Sequence, residues 1–178
     1  MRQALESGAF FSYDLSLIQF KCIMECDVKP VRLAILGLGT VGGGALKLLQ
    51  ENAAEIRRRT DREIQITHVG TRRPRPDLTL ADSVKQSADL MEIVRQPDVD
   101  VVVEVMGGIH PAYELIMEAM KHGKHVVTAN KALLAEHGTA LFKAADEYKV
   151  QIAYEAAVAG GIPIIKVIRE GLAANRID

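Results

Sequence analysis

One stretch constrains this chain more than any other: an apolar run that meets three glycines and then a helical stripe. Residues 31–44 read VRLAILGLGTVGGG. The run of Val31, Leu33, Ala34, Ile35 and Leu36 is short and apolar, as a buried strand requires. Gly37, Gly39 and Gly42 follow in GxGxxG spacing, and Val41, Ala45, Leu46, Leu48 and Leu49 then recur as a helix does. Strand, glycine turn and helix in that order point to a dinucleotide-binding turn. Gly37 allows the tight turn, Gly39 lets backbone approach a pyrophosphate, and Gly42 lets the helix pack close to the strand. The helix start then offers free N–H groups to the phosphates. A plain glycine turn is the structural alternative.

The remainder of the chain keeps the same rhythm. The first helix is expected to run to about Arg59, and residues 64–69 read as a second strand. A polar stretch over 70–77, with Pro74 and Pro76, leaves the sheet. A helix over 88–95 precedes the β-branched run Val99, Val101, Val102, Val103 and Val105. Pro111 opens a helix that Gly123 ends, and a strand covers 125–128. Two helices, 131–134 and 139–148, are separated by Gly138. A strand over 150–154 and a last helix over 163–173 complete the pattern. Strands alternating with helices predict an α/β fold, a doubly wound parallel sheet of Rossmann type with ligands at the carboxyl ends of its strands. The expected domains are a loosely ordered extension over 1–29, a nucleotide-binding domain over 30–154, and the start of a second region over 155–178.

Composition narrows the partners. The 178 residues are 48% hydrophobic and 25% charged, with a formal net charge of -1. That balance predicts a soluble core-forming chain and gives no electrostatic reason for a nucleic-acid or membrane partner. No apolar run reaches membrane-spanning length, and no secretory signal is evident. Cys22 and Cys26 have no second Cys or His pair beside them, so free thiols in a reducing cytoplasm are expected. His68, His110 and His137 have no obvious partners in the sequence, so no transition-metal site is expected.

Chemistry is expected at the strand ends. About 20 residues beyond the glycines, where an acid would hold ribose hydroxyls, the chain has Thr71, Arg72 and Arg73. Two guanidiniums suit a ribose phosphate, which favours NADP, with NAD as the alternative. VVVEVMGG closes a strand with Glu104 and then Gly107 and Gly108, a pair that permits close passage beside a cofactor. VVTANKALLA places Thr128, Asn130 and Lys131 at the end of the next strand, where Thr128 and Lys131, like Gly107, are expected to line the cofactor crevice. A lysine there faces the crevice and can bind a substrate oxygen or assist proton transfer.

Taken in order, ILGLGTVGGG, VVVEVMGG, VVTANKALLA and YEAAVAGGIPII resemble the homoserine dehydrogenase family. The resemblance covers roughly residues 30–178 and only the front of such an enzyme. It implies interconversion of L-homoserine and L-aspartate 4-semialdehyde with a nicotinamide cofactor, in threonine, methionine and isoleucine biosynthesis. By the same resemblance Gly37, Leu38, Gly39, Thr40, Val41 and Gly42 form the pyrophosphate loop, and Lys131 contacts cofactor and substrate. The glutamate and carbonyls of a sodium site match Glu155, Val158, Gly160 and Ile162. The family's main catalytic lysine and substrate-binding acids match nothing up to residue 178, so the chain alone is expected to bind cofactor without turnover. The full enzyme is expected to be a homo-oligomer. The competing readings are a non-catalytic NAD(P)-binding module, a subunit completed by another chain, and an aspartate dehydrogenase, the last disfavoured by the TANK and EAAVAGGIP stretches.

Overall fold

Val31–Leu36 forms the strand β1 expected from its apolar run, with its last four residues buried. The computed structural model describes residues 29–73, 75–160, 162–172 and 174, so the expectations for residues 1–28, Cys22 and Cys26 lie outside it. The other strands are β2 (Ile64–Gly70), β3 (Lys85–Ser87), β4 (Val101–Glu104), β5 (His125–Thr128) and β6 (Ile152–Ala153). Among the described residues they make one sheet in the order β3-β2-β1-β4-β5-β6, and every pairing is parallel. This is the doubly wound α/β arrangement that the alternating pattern implied.

The helices are α1 (Thr40–Glu51), α2 (Ala53–Thr60), α3 (Leu90–Arg95), α4 (Ala112–Lys121), α5 (Lys131–Glu147), α6 (Glu155–Val158) and α7 (Ile164–Lys166). A π-helical turn, Val167–Gly171, continues from α7. Side chains alternate across β1, so its two faces feed two cores. Ala34 and Leu36 pack in a cluster with Leu115, Ile116 and Met120 of α4 and Leu133 and Leu141 of α5. Ile35 packs on the opposite face with Leu46 of α1 and Val69 of β2. Full burial of each such Leu or Ile contributes roughly 1.5–3 kcal/mol. At the amino ends of the strands, Arg32 clasps Asp100. Its Nε and Nη2 donate to the carboxylate at 3.0 and 2.7 Å, joining β1 to the start of β4.

Several boundaries differ from the sequence expectation, each for a local reason. The first helix breaks at Asn52, whose amide donates to the Leu48 carbonyl at 3.0 Å, and α2 begins beyond it. The two helices expected around Gly138 are the single helix α5. Gly138 is buried there, and the apolar stripe of Leu133, Leu141, Ala144 and Ala145 continues on either side. That packing outweighs an interior glycine's cost of roughly 0.5–1 kcal/mol. Strand β3, of sequence KQS, was not expected because it has no apolar alternation; it is a polar edge strand that pairs with β2 through backbone alone. The strands expected over 99–105 and 150–154 are shorter, and the last helix is confined to residues 164–171.

Candidate functional site

The sheet order places β1 beside β4, and from these neighbours the chain leaves to opposite faces of the sheet, into α1 and α4. A crevice opens at such a switch point, outside the carboxyl ends of the strands. Here it has a volume of about 730 Å³ and is lined by Gly37, Leu38, Gly39, Arg72, Arg75 and Met106, among others.

The glycine loop is built as the spacing requires. Gly37 has φ +98°, a conformation that a side chain rarely tolerates, and its N–H donates to the Gly70 carbonyl at 2.8 Å. A Cβ on Gly42 would stand 1.8 Å from the Gly37 carbonyl oxygen, so only glycine lets α1 start this close to the strand. Leu38 and Gly42 are buried, whereas Gly39, Thr40 and Val41 are exposed, with nothing within 4 Å of the place a Gly39 Cβ would take. Backbone in that loop is therefore open to a ligand, at the start of a twelve-residue helix with no side-chain cap.

Beyond β2 the chain curls tightly. The Thr71 N–H donates to the Ser87 carbonyl at 3.2 Å, and the Thr71 hydroxyl donates to the Arg73 carbonyl at 2.7 Å. This turn leaves Arg72 and Arg73 exposed on the crevice wall. Among the described residues neither forms an ion pair. Arg75, which the sequence reading did not single out, donates to the Leu38 carbonyl of the glycine loop. Its Nε and Nη2 also grip the Asp77 carboxylate at 2.8 and 2.7 Å, and that grip holds the Asp77 carboxyl down at about 2. Proximity to the loop could not be read from spacing, because Arg75 and Leu38 stand 37 positions apart.

On the other side of the switch point, Glu104 ends β4 with no solvent exposure. Its carboxylate accepts from the Met106 N–H at 2.9 Å and the Gly107 N–H at 3.3 Å. Gly107 and Gly108 follow with φ +74° and +77°, both exposed. Thr128, expected to line the crevice, is completely buried; its hydroxyl donates to Glu104 at 2.7 Å and so supports the crevice from beneath. Asn130 caps α5 by accepting from the Leu133 N–H at 3.1 Å, and Lys131 is the exposed first residue of that helix. The lone charge inside VVVEV was the sequence signal for this buried network.

The four residues matched to a cation site stand in one short segment. Glu155 opens α6, and its carboxylate accepts from the Lys166 N–H at 3.3 Å. Gly160 has φ +62°, and Val158 and Ile162 are exposed. Among the described residues no group of three or more His, Cys, Asp or Glu is placed to hold a metal, so a cation there would depend on backbone carbonyls. The histidines do have neighbours. His68 Nδ1 lies 3.0 Å from the Thr67 hydroxyl, His110 lies 2.6 Å from Glu114, and His137 stacks on Tyr113 with ring centroids 4.5 Å apart. No helix of the described residues is long and apolar enough to cross a membrane.

Comparison with known proteins agrees with this geometry. Residues 37–155 match the family model described as the NAD-binding domain of homoserine dehydrogenase. The chain is 52% identical over 151 residues to a homoserine dehydrogenase of Pseudomonas aeruginosa, covering 85% of this chain and 35% of that protein. A homoserine dehydrogenase of Neisseria gonorrhoeae is 51% identical over 150 residues, 84% of this chain and 34% of the relative. Among solved structures, the homoserine dehydrogenase of Thiobacillus denitrificans superposes with a TM-score of 0.78 at 50% identity, over 85% of this chain and 35% of that one. A hyperthermophilic archaeal homoserine dehydrogenase in complex with NADPH gives a TM-score of 0.68 at 25% identity, over 82% of this chain and 50% of that one. The chain thus spans about a third of the length of the curated relatives it matches.

Proposed function

The chain belongs to the homoserine dehydrogenase family, which it matches through that family's NAD-binding domain, and on this premise we propose that it forms the cofactor-binding part of an enzyme that interconverts L-homoserine and L-aspartate 4-semialdehyde. The observation that carries the reading is the crevice in which an open glycine loop faces Arg72 across the ends of β1 and β2. The backbone N–H groups at the start of α1 would take the pyrophosphate, and Arg72 the ribose phosphate, so NADP is the proposed cofactor. A nicotinamide cofactor held there would supply hydride transfer between the alcohol carbon of homoserine and the corresponding aldehyde. Lys131, exposed at the head of α5, would bind the substrate oxygen whose proton is exchanged. The Gly107–Gly108 turn would flank the nicotinamide end.

Residues 155–178 belong to the proposal as the beginning of a substrate and dimerisation region of a cytoplasmic homo-oligomer. The exposure of Ile162, Val167 and Ile168 supports their facing further protein. A sodium ion on Glu155 and the carbonyls of Val158, Gly160 and Ile162 is part of the same reading, supported by an all-oxygen donor set and the left-handed turn at Gly160. Calorimetric titration with NADP+ and NAD+ tests the cofactor assignment. Arg72→Ala is expected to cost about 1–3 kcal/mol of NADP+ affinity and little of NAD+ affinity. Equal losses for both would remove Arg72 from the phosphate site.

A further inference from the structure

Glu104 is the one carboxylate among the described residues with no solvent exposure, and every oxygen of its side chain is engaged. Taking a carboxylate out of water costs several kcal/mol unless donors replace the lost hydration. Three do so here. The N–H groups of Met106 and Gly107 converge on Oε1, and the Thr128 hydroxyl donates to Oε2.

These bonds are part of a closed ring. Thr128 Oγ1 accepts from the Asn130 N–H at 3.1 Å. The Asn130 side-chain amide donates to the Gly108 carbonyl. Gly108 is the residue after Gly107, whose own N–H returns to Glu104. The ring therefore locks the turn after β4 to the first turn of α5, and Lys131 is the residue that follows Asn130. On its other side the turn abuts the glycine loop, since a Cβ on Gly37 would come within 2.8 Å of Met106 Cγ.

Because the Glu104 carboxylate is the buried charge of this ring and bonds both to the 106–108 turn and to Thr128 at the end of β5, we propose that it is a positioning residue for the nicotinamide half of the cofactor. It sets the 106–108 turn at a fixed distance from Lys131, while the adenosine half depends on the loop after β1 and the arginines after β2. This assignment follows from the sheet order: in a doubly wound sheet one mononucleotide unit lies on the β1–β3 side and the other on the β4–β6 side. The inference rests on the dinucleotide reading above.

The test uses two probes on the whole chain: NADPH, which needs both halves, and 2′,5′-ADP, which occupies only the adenosine half. Glu104→Ala is expected to weaken NADPH at least tenfold and to change 2′,5′-ADP less than twofold. Glu104→Gln keeps an acceptor for the two N–H groups but no longer accepts from the Thr128 hydroxyl, so a loss of about threefold for NADPH alone is expected. If Glu104→Ala does not fold, Thr128→Val, which removes the hydroxyl's two bonds in the ring, to Glu104 and from the Asn130 N–H, serves in its place with the same selective loss expected. Parallel losses for both probes would show a general structural role and overturn the proposal, as would unchanged NADPH affinity in every variant. A wild-type chain that binds neither probe would overturn the dinucleotide reading itself, a result separate from any difference between the variants.

Discussion

Met106 packs so tightly on Gly37 that a Cβ at Gly37 would lie 2.8 Å from Met106 Cγ and 3.1 Å from its Cα. The turn after β4 thereby braces the loop after β1 across the switch point. Gly37→Ala would place a side chain at φ +98° and push against backbone as well as side chain. It is expected to destabilise the fold by about 1–3 kcal/mol, the scale of a strained backbone position, and to weaken NADPH binding. Denaturant unfolding and a fluorescence titration on the same variant read both effects. A variant as stable as the wild type would contradict the packing described.

Arg75 ties the Leu38 carbonyl to Asp77, so its role is to shape the glycine loop. Arg75→Ala is expected to lower NADP+ and NAD+ affinities alike, by several-fold each. A loss confined to NADP+ would instead make Arg75 a ligand of the ribose phosphate.

Lys124 is buried at 7% exposure, and its ammonium donates to the carbonyls of Gln96 and Val99, both at 2.7 Å. Burial pulls its pKa below the ordinary lysine value. Lys124→Met keeps the aliphatic stem but leaves two carbonyls without their donor, an expected cost of about 1–3 kcal/mol. Urea unfolding at neutral pH measures it, and a change below about 0.5 kcal/mol, the range of an ordinary surface substitution, would place the carbonyls in contact with water.

His68 is buried beside Thr67, with Asp98 at 3.8 Å and Lys85 on the neighbouring strand β3. Burial lowers its pKa, and this outweighs the pull of Asp98 and Glu92 in the other direction. A depressed histidine binds its proton more weakly in the folded chain than in the unfolded one. Stability is therefore present above the unfolded value of 6.5 and is lost as pH falls below it. His68→Gln should flatten the stability profile between pH 7 and 5. Parallel profiles for the two proteins would exclude His68 as the source.

How much of this was legible beforehand depended on side-chain pattern. The run at Val31, the glycines at 37, 39 and 42 and the valines at 101–103 define β1, the loop and β4 by hydrophobic period alone. Strand β3 has only Lys, Gln and Ser, and its pairing is carried by backbone, which no pattern of side chains reports. Gly138 reads as a helix break by local propensity, which the packing of Leu133 and Leu141 overrides. Thr128 and Asn130 read as strand-end polar residues, but their direction, inward to Glu104 and to the α5 cap, is a tertiary fact. Arg75 was missed for the same reason, because its contact with Leu38 spans 37 positions.

Whether the crevice between the β1 and β4 ends holds the dinucleotide is read by amide chemical-shift mapping of the labelled chain with NADPH. The expected result is a saturable set of shifts at Gly39, Thr40 and Val41, at Arg72 and at Gly107 and Gly108, with the amino-end pair Arg32 and Asp100 unmoved. Saturable shifts elsewhere with that loop silent, or no shifts at millimolar NADPH, would contradict it.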